Sequence, residues 1–294
     1  MNLVSNSQVN PKYYVPAENV FDEISEHILV DGYNFVLDLQ SSYNSILIDK
    51  RNSKEFVDFF TCFASMPIGF NHPKLANQDF IEYIGRIALT KPTNSDVYTE
   101  EYATFVKTFF NIAIPEVFKY GFFIEGGALA VENALKTAFD WKIRKNLSKG
   151  KGEKGTQIIH FKQAFHGRSG YTMSLTNTDP IKIQYFPKFN WPRIENPKIT
   201  FPINDDNLQK VIDLENIAIN EIKDAFYHNP DDIAAIIIEP IQGEGGDNHF
   251  RTEFFQKLRE LSDENDALLI FDEVQTGLGI TGTYWAFEQL GVIP

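Results

Sequence analysis

Hydrophobic positions change their period partway along this chain, and the change divides it into stretches of different architecture. Early on, Val20, Ile24, Ile28 and Leu29 recur at helical spacing behind acidic residues, which predicts a short amphipathic helix over 16–30. Residues 35–39, 45–48 and 55–59 are short apolar-rich runs parted by turn residues, the pattern of a small antiparallel meander. Residues 66–73 form a loop with two prolines in which His72 is a loop hydrogen-bonder, and Ser95-Asp96 opens a helix over 98–110 that Ile114-Pro115 ends.

From residue 120 strand, turn and helix alternate, the signature of a parallel sheet with crossover helices. The pattern predicts a strand at 120–124, a tight turn at 125–128 and a helix at 129–142 with Ala134, Ala138 and Trp141 on its apolar side. A solvated loop at 145–155 leads to a strand at 157–161 and a loop at 165–169. The Pro- and aromatic-rich 185–202 is irregular. Then come a helix at 216–227, a buried strand at 233–238 ending in Glu239-Pro240, and a helix at 254–265. Residues 267–271 read as a central strand buried on both faces, with Asp272 and Glu273 at its C-terminal end, where open parallel sheets bind ligands. No internal repeat or low-complexity tract interrupts this order.

Composition narrows the classes. The 294 residues are 43% hydrophobic and 23% charged, enough for a large core or two domains. A formal charge of −13 without a basic stripe argues against a nucleic-acid surface. No run is long and apolar enough for a membrane span, and residues 1–14 have neither the charged start nor the apolar core of a leader. The one cysteine, Cys62, excludes an intramolecular disulfide, so a reducing cytoplasm is the expected compartment. The six histidines show no metal-ligand spacing, and no metal is expected.

Two glycine-rich stretches fail as nucleotide motifs. Residues 150–156 lack the lysine a phosphate-binding P-loop needs and precede a strand instead of following one. Gly243-Glu244-Gly245-Gly246 lacks the strand and helix context of a dinucleotide site, which disfavours a nicotinamide dehydrogenase. Gly126-Gly127-Ala128, at a strand-to-helix turn, is either a packing turn or an anion cradle of bare N–H groups. Singly, Phe165 fits core packing, Arg168 a surface charge and Asp272 a helix cap. Together they supply an anion cradle, an aromatic platform, a cationic fork and a strand-end carboxylate, the set needed to hold a flat, phosphorylated, pyridinium-bearing cofactor.

The segments EGGALAVENALKTAFDWK, AFHGRSGYT with SLTNT, FPKFNWPRI, EPIQGEGGDNHFR and LLIFDEVQTGLGITGTYWAF carry a resemblance across practically the whole chain. The sequence resembles the class III pyridoxal-phosphate aminotransferases of fold type I, within them the L-lysine 6-transaminases. The resemblance implies an α/β, three-layer fold: a large domain over 65–294 with a mostly parallel central sheet, and in 1–64 the N-terminal part of a small α+β domain. It implies pyridoxal 5′-phosphate as cofactor, with Gly126, Gly127 and Ala128 at the phosphate, Phe165 on the ring, Asp272 at the ring nitrogen, Gln275 at the phenolic oxygen and co-substrate, and Glu239 in support. Arg168 would take a substrate carboxylate, and Glu244 would be a gate, pairing with a later arginine or swinging away.

The implied reaction moves the ε-amino group of L-lysine to 2-oxoglutarate, giving 2-aminoadipate 6-semialdehyde and L-glutamate in a homodimer. Ornithine, acetylornithine and 4-aminobutyrate are the alternative amino donors, and a non-catalytic truncated product is the alternative outside catalysis. The sequence departs from the family at its end: the Schiff-base lysine, a phosphate-site threonine and the gate's arginine have no counterpart before Pro294. The chain alone is therefore expected to be inactive and, with apolar faces and a sheet edge exposed, prone to aggregate.

Overall fold

The computed structural model describes residues 12–294, and the leader-free reading of the first residues lies largely outside them. The chain divides into two compact units, one ending at Tyr102 and the other running from Ala103 to Pro294. In the first, a 3-10 turn at Ala17–Asn19 leads into helix α1 (Val20–Ser25), and β1 (Ile46–Ile48) pairs antiparallel with β2 (Glu55–Val57), Leu47 opposite Phe56. Their connecting turn is closed by Asp49, which accepts from the Arg51 Nε at 3.0 Å. Helix α2 (Gln78–Ala88) follows, its first turn capped by the Asn77 side chain, which accepts from the Phe80 N–H at 3.0 Å. Helix α3 (Glu100–Ile112) carries the chain across the boundary.

Beyond α3, the second unit continues with the 22-residue helix α4 (Gly127–Ser148). In order come β3 (Gln157–Phe161), the one-turn α5 (Thr172–Leu175), β4 (Arg193–Ile194), α6 (Asp205–His228), β5 (Ile233–Ile238), the hairpin of β6 (Ile241–Gln242) and β7 (Asn248–His249), α7 (Thr252–Glu264), β8 (Leu268–Phe271) and α8 (Phe287–Leu290). The sheet order is β4-β3-β5-β8, every pair parallel. Strand β5, all β-branched or alanine and buried along its whole length, is what the unit packs on. Its Ile236 and Ile238 join Ile222 of α6 and Phe254, Phe255 and Leu258 of α7. Ala235 and Ile237 point the other way, to Val131, Leu135 and Ala138 of α4. The result is three layers with the sheet between α4 and the α6/α7 pair. Each fully buried Ile or Leu contributes about 1.5–3 kcal/mol to that arrangement.

Helix α4 and strand β8 are fastened together at both ends. At one end Gly127 lies so close to Val274, three residues past β8, that an added Cβ would sit 2.7 Å from the valine Cγ1. At the other, the buried Lys142 donates from Nζ to the Asp266 carbonyl at 2.6 Å, and Lys145 and Lys149 form ion pairs with the Asp266 carboxylate just before β8.

Several expectations need correction. Strand β8 is an edge strand among the described residues, hydrogen-bonded to β5 on one side, and Leu268, Ile270 and Phe271 are only half-buried; the central, doubly covered strand is β5. Residues 120–124 form no strand: no neighbouring strand supplies their ladder bonds, and Tyr120 and Phe122 are 93% and 70% exposed. Of 35–39, only Leu37 makes a bridge, to Asp49. The first helix stops at Ser25, leaving Ile28 and Leu29 exposed. The irregular 185–202 contains β4, a two-residue strand too short to show a period.

Candidate active site

Four segments converge at the C-terminal ends of the parallel strands: the loops after β3, β5 and β8, and the start of α4. Glycines bring them together. Gly167, at φ +106°, packs so closely on α4 that an added Cβ would lie 2.5 Å from the Ala128 Cβ and 2.9 Å from its Cα. Val274 packs on Gly127 as described, and Gly243 in the turn between β6 and β7 lies against the side-chain amide of Gln275. Gly126 caps α4 at φ +91°, with no side-chain cap, no acidic residue in the first turn and open space where its Cβ would be. The helix start is thus a bare, positively polarised terminus that an anion can approach.

Beside it lies a buried charge cluster. Asp272, at the tip of β8, accepts from its own loop at the Val274 N–H (3.1 Å) and faces His166 Nδ1 through Oδ2 at 2.7 Å. A carboxylate only accepts, so Nδ1 carries the proton and donates. His166 is fully buried; burial works against its charge, but the hydrogen bond and charge of Asp272, with Glu239 nearby, outweigh it and raise its pKa. Its backbone N–H donates to Thr176 Oγ1 (2.9 Å), while Nε2 has no hydrogen-bond partner. Glu239, at the tip of β5, is pushed up to about 7, by burial first and by the charges of Asp272 and Glu244; the His166 charge and the Phe165 N–H, which donates to it at 2.8 Å, hold it partly back. Two carboxyls and one imidazole therefore share a dry space in which the charges of His166 and Glu239 each bear on the protonation of the other.

Around the mouth stand the remaining candidates. The half-buried Phe165 ring has the Lys182 ammonium 5.6 Å from its centroid, and Lys182 forms an ion pair with Glu244. Arg168 is exposed. Its loop is held by Glu132, whose Oε1 accepts from Ser169 Oγ (2.7 Å) and the Tyr171 N–H (2.6 Å). Glu273 turns away from the cluster and takes the backbone N–H groups of Ala286 (2.7 Å) and Phe287 (2.9 Å), so its role is to cap the turn into α8.

Sequence reasoning passed over His166, Lys182 and Glu132. For His166 the one signal was its place between Phe165 and Gly167 in a strand-end loop; its partner lies 106 positions away, beyond any local pattern. No local signal marked Lys182 or Glu132.

An aminotransferase class-III family model matches residues 29–294. The L-lysine-epsilon aminotransferase of Mycobacterium tuberculosis is 50% identical over 279 residues, covering 94% of this chain and 62% of that protein. The protein of the same name from Streptomyces clavuligerus is 46% identical over 282 residues, covering 95% and 61%. A solved structure described as lysine aminotransferase from M. tuberculosis in the internal aldimine form superposes with a TM-score of 0.92 at 49% identity, over 95% of this chain and 64% of that one. The chain thus spans a little under two thirds of these relatives' length, and its layered α/β architecture is the fold-type I arrangement. With the class III model covering all but the first residues, the chain belongs to the class III aminotransferases.

Proposed function

We propose that this chain provides the cofactor-binding part of an aminotransferase that moves the ε-amino group of L-lysine to 2-oxoglutarate, with pyridoxal 5′-phosphate as cofactor. One observation carries the reading: a buried carboxylate at a strand tip, Asp272, is held in orientation by a buried histidine, next to a glycine-built, uncapped helix start. The residues fit the group. Asp272 has acceptor capacity left beyond His166 and Val274, and the open space over Gly126 admits a phosphate.

When bound, the cofactor supplies an electron sink for the carbon bearing the amino group. The chain's own residues bind and orient. Gly127 and Ala128 donate backbone N–H groups to the phosphate, and Gly126 leaves it room. Asp272 holds a proton on the ring nitrogen, with His166 fixing its carboxylate; a charge-assisted bond of this kind contributes about 1.5–3 kcal/mol. Phe165 covers a ring face, Gln275 donates its amide to the ring oxygen, and Arg168 offers a planar fork to a substrate carboxylate. Glu239 anchors the Phe165 backbone. In this reading the lysine that would bond the cofactor is absent. Lys142, Lys145 and Lys149 are engaged at Asp266, Lys162 at Glu195 and Lys182 at Glu244. The exposed Tyr120, Phe122, Leu129 and Val274 support a homodimer.

Two measurements test this. Titrated with pyridoxal 5′-phosphate, the chain should show saturable absorbance that D272N weakens about tenfold or more, and borohydride should leave no lysine adduct. Wild-type affinity equal to that of D272N sinks the site, and a specific adduct sinks the missing nucleophile. Extended with the C-terminal part of the M. tuberculosis relative, the chain should prefer L-lysine over L-ornithine by roughly tenfold or more, the discrimination one methylene allows. A preference for ornithine or 4-aminobutyrate would reassign the donor.

A further inference from the structure

The mouth of the cleft is crowded with negative charge. Glu239 feels the charges of both Asp272 and Glu244, and of the three only Glu244 is exposed, on the side of Phe165 where Lys182 meets it. The cations facing the cluster are few: His166 is committed to Asp272 in the interior, and Lys182 is paired with Glu244 at the surface.

The backbone around Glu244 is pinned while its side chain is not. Gly243 lies against the Gln275 side chain, and Gly245 is so close to the Gln163 carbonyl that no larger residue fits. Asn248 Nδ2 donates to the Gly245 carbonyl at 3.1 Å and to Gln242 Oε1 at 2.9 Å, and Asn196 Nδ2 donates to the same Gln242 oxygen at 2.8 Å. This buried amide network fixes the β6–β7 hairpin, so Glu244 can relocate only by turning its side chain. Lys182 ends a 3-10 turn at Pro180–Lys182, itself capped by Asp179 accepting from the Ile181 N–H at 3.0 Å, so the ammonium is presented from a defined position. Both side chains of the pair are 30% exposed. A pair that open to water is weak, so Glu244 can leave it and return at little cost.

Resting on the reading above, we propose that Lys182 is a positioning residue that parks Glu244 at the rim beside Phe165 and neutralises it there, so that the cleft admits a dicarboxylate. Without Lys182 the carboxylate is unpaired, and its repulsion falls on any anion approaching Arg168 and the cleft. The effect runs through Glu244: once that residue is neutral, Lys182 has nothing left to hold.

The test is a double-mutant cycle on the 294-residue chain, with glutarate as the dicarboxylate probe and pentanoate as a monocarboxylate control. Binding is measured by calorimetry with and without pyridoxal 5′-phosphate for wild type, K182Q, K182R, E244Q and the double variant. K182Q should weaken glutarate about fivefold, K182R should restore it, and K182Q should have no effect in the E244Q background. Pentanoate should change less than glutarate. An equal loss in both backgrounds overturns the proposal, because Lys182 would then contact the ligand directly or support the fold. Equal affinity of wild type and K182Q, or no glutarate binding by wild type in either condition, overturns it as well. Cofactor binding is scored separately: its loss in wild type counts against the proposed function, and the glutarate arm without cofactor still decides Lys182.

Discussion

At the scale of single residues, the candidate site holds two groups, His166 and Glu239, whose protonation is tied to folding. Glu239 is raised from an ordinary 4.5 to about 7, so the folded chain holds a proton there that the unfolded chain has released, and stability falls as pH rises from about 4.5 to 7. The sign for His166 is the same: its pKa is raised, so its contribution is complete below the unfolded value and is lost as pH climbs through the folded one. Thermal melts from pH 5 to 8 should therefore show a declining midpoint. E239Q should remove the part belonging to the carboxyl, on the order of 3 kcal/mol at most. A midpoint that rises over this range, or an E239Q profile parallel to wild type, contradicts the assignment. From the sequence, Asp272 and Glu239 stood out because each ends an apolar strand; His166 did not, because a histidine in a loop has no signature until its partner is known.

At the scale of elements, glycines decide how near the loops come. An alanine at Gly167 must adopt φ near +106° and push against Ala128, and one at Gly127 must displace Val274; each should lower stability by about 1–3 kcal/mol and weaken the cofactor phosphate. Gly126 has open space at its Cβ and is set apart by its φ of +91° alone, so G126A should cost stability by backbone strain without moving a neighbour. Chemical denaturation of the three variants checks this, and an unchanged G167A would show the loop to be adaptable. The buried strands and long helices of the second unit were legible where their patterns run for many residues: β5 as an unbroken run of isoleucine and alanine, α7 and the second half of α6 as helical stretches, whereas the first half of α6 was not foreseen. The two-residue β4 was not, and residues 120–124 misled because strand propensity says nothing about whether a partner is at hand.

At the scale of the whole molecule, β8 presents an unpaired edge among the described residues, and apolar side chains at Tyr120, Phe122 and Val274 are exposed. Such surfaces associate. The purified chain should sediment as species larger than a monomer, and a compact monomer at micromolar concentration would contradict this. The architecture was foreseen from strand-helix alternation, whereas the centre of the sheet was misplaced: half-burial of β8 depends on its neighbours and cannot be read from its own five apolar letters. The double fastening of α4 to β8 has a consequence of its own. From Gly127 to Lys142 the helix rises about 22 Å, and β8 runs alongside it with Asp266 before its first residue and Val274 beyond its last, so the two lie as rails with a crosspiece at each end. Slack introduced at the basic crosspiece on Asp266 is carried along both rails to the glycine-built end, so a lysine cluster remote from the candidate site helps to set its geometry.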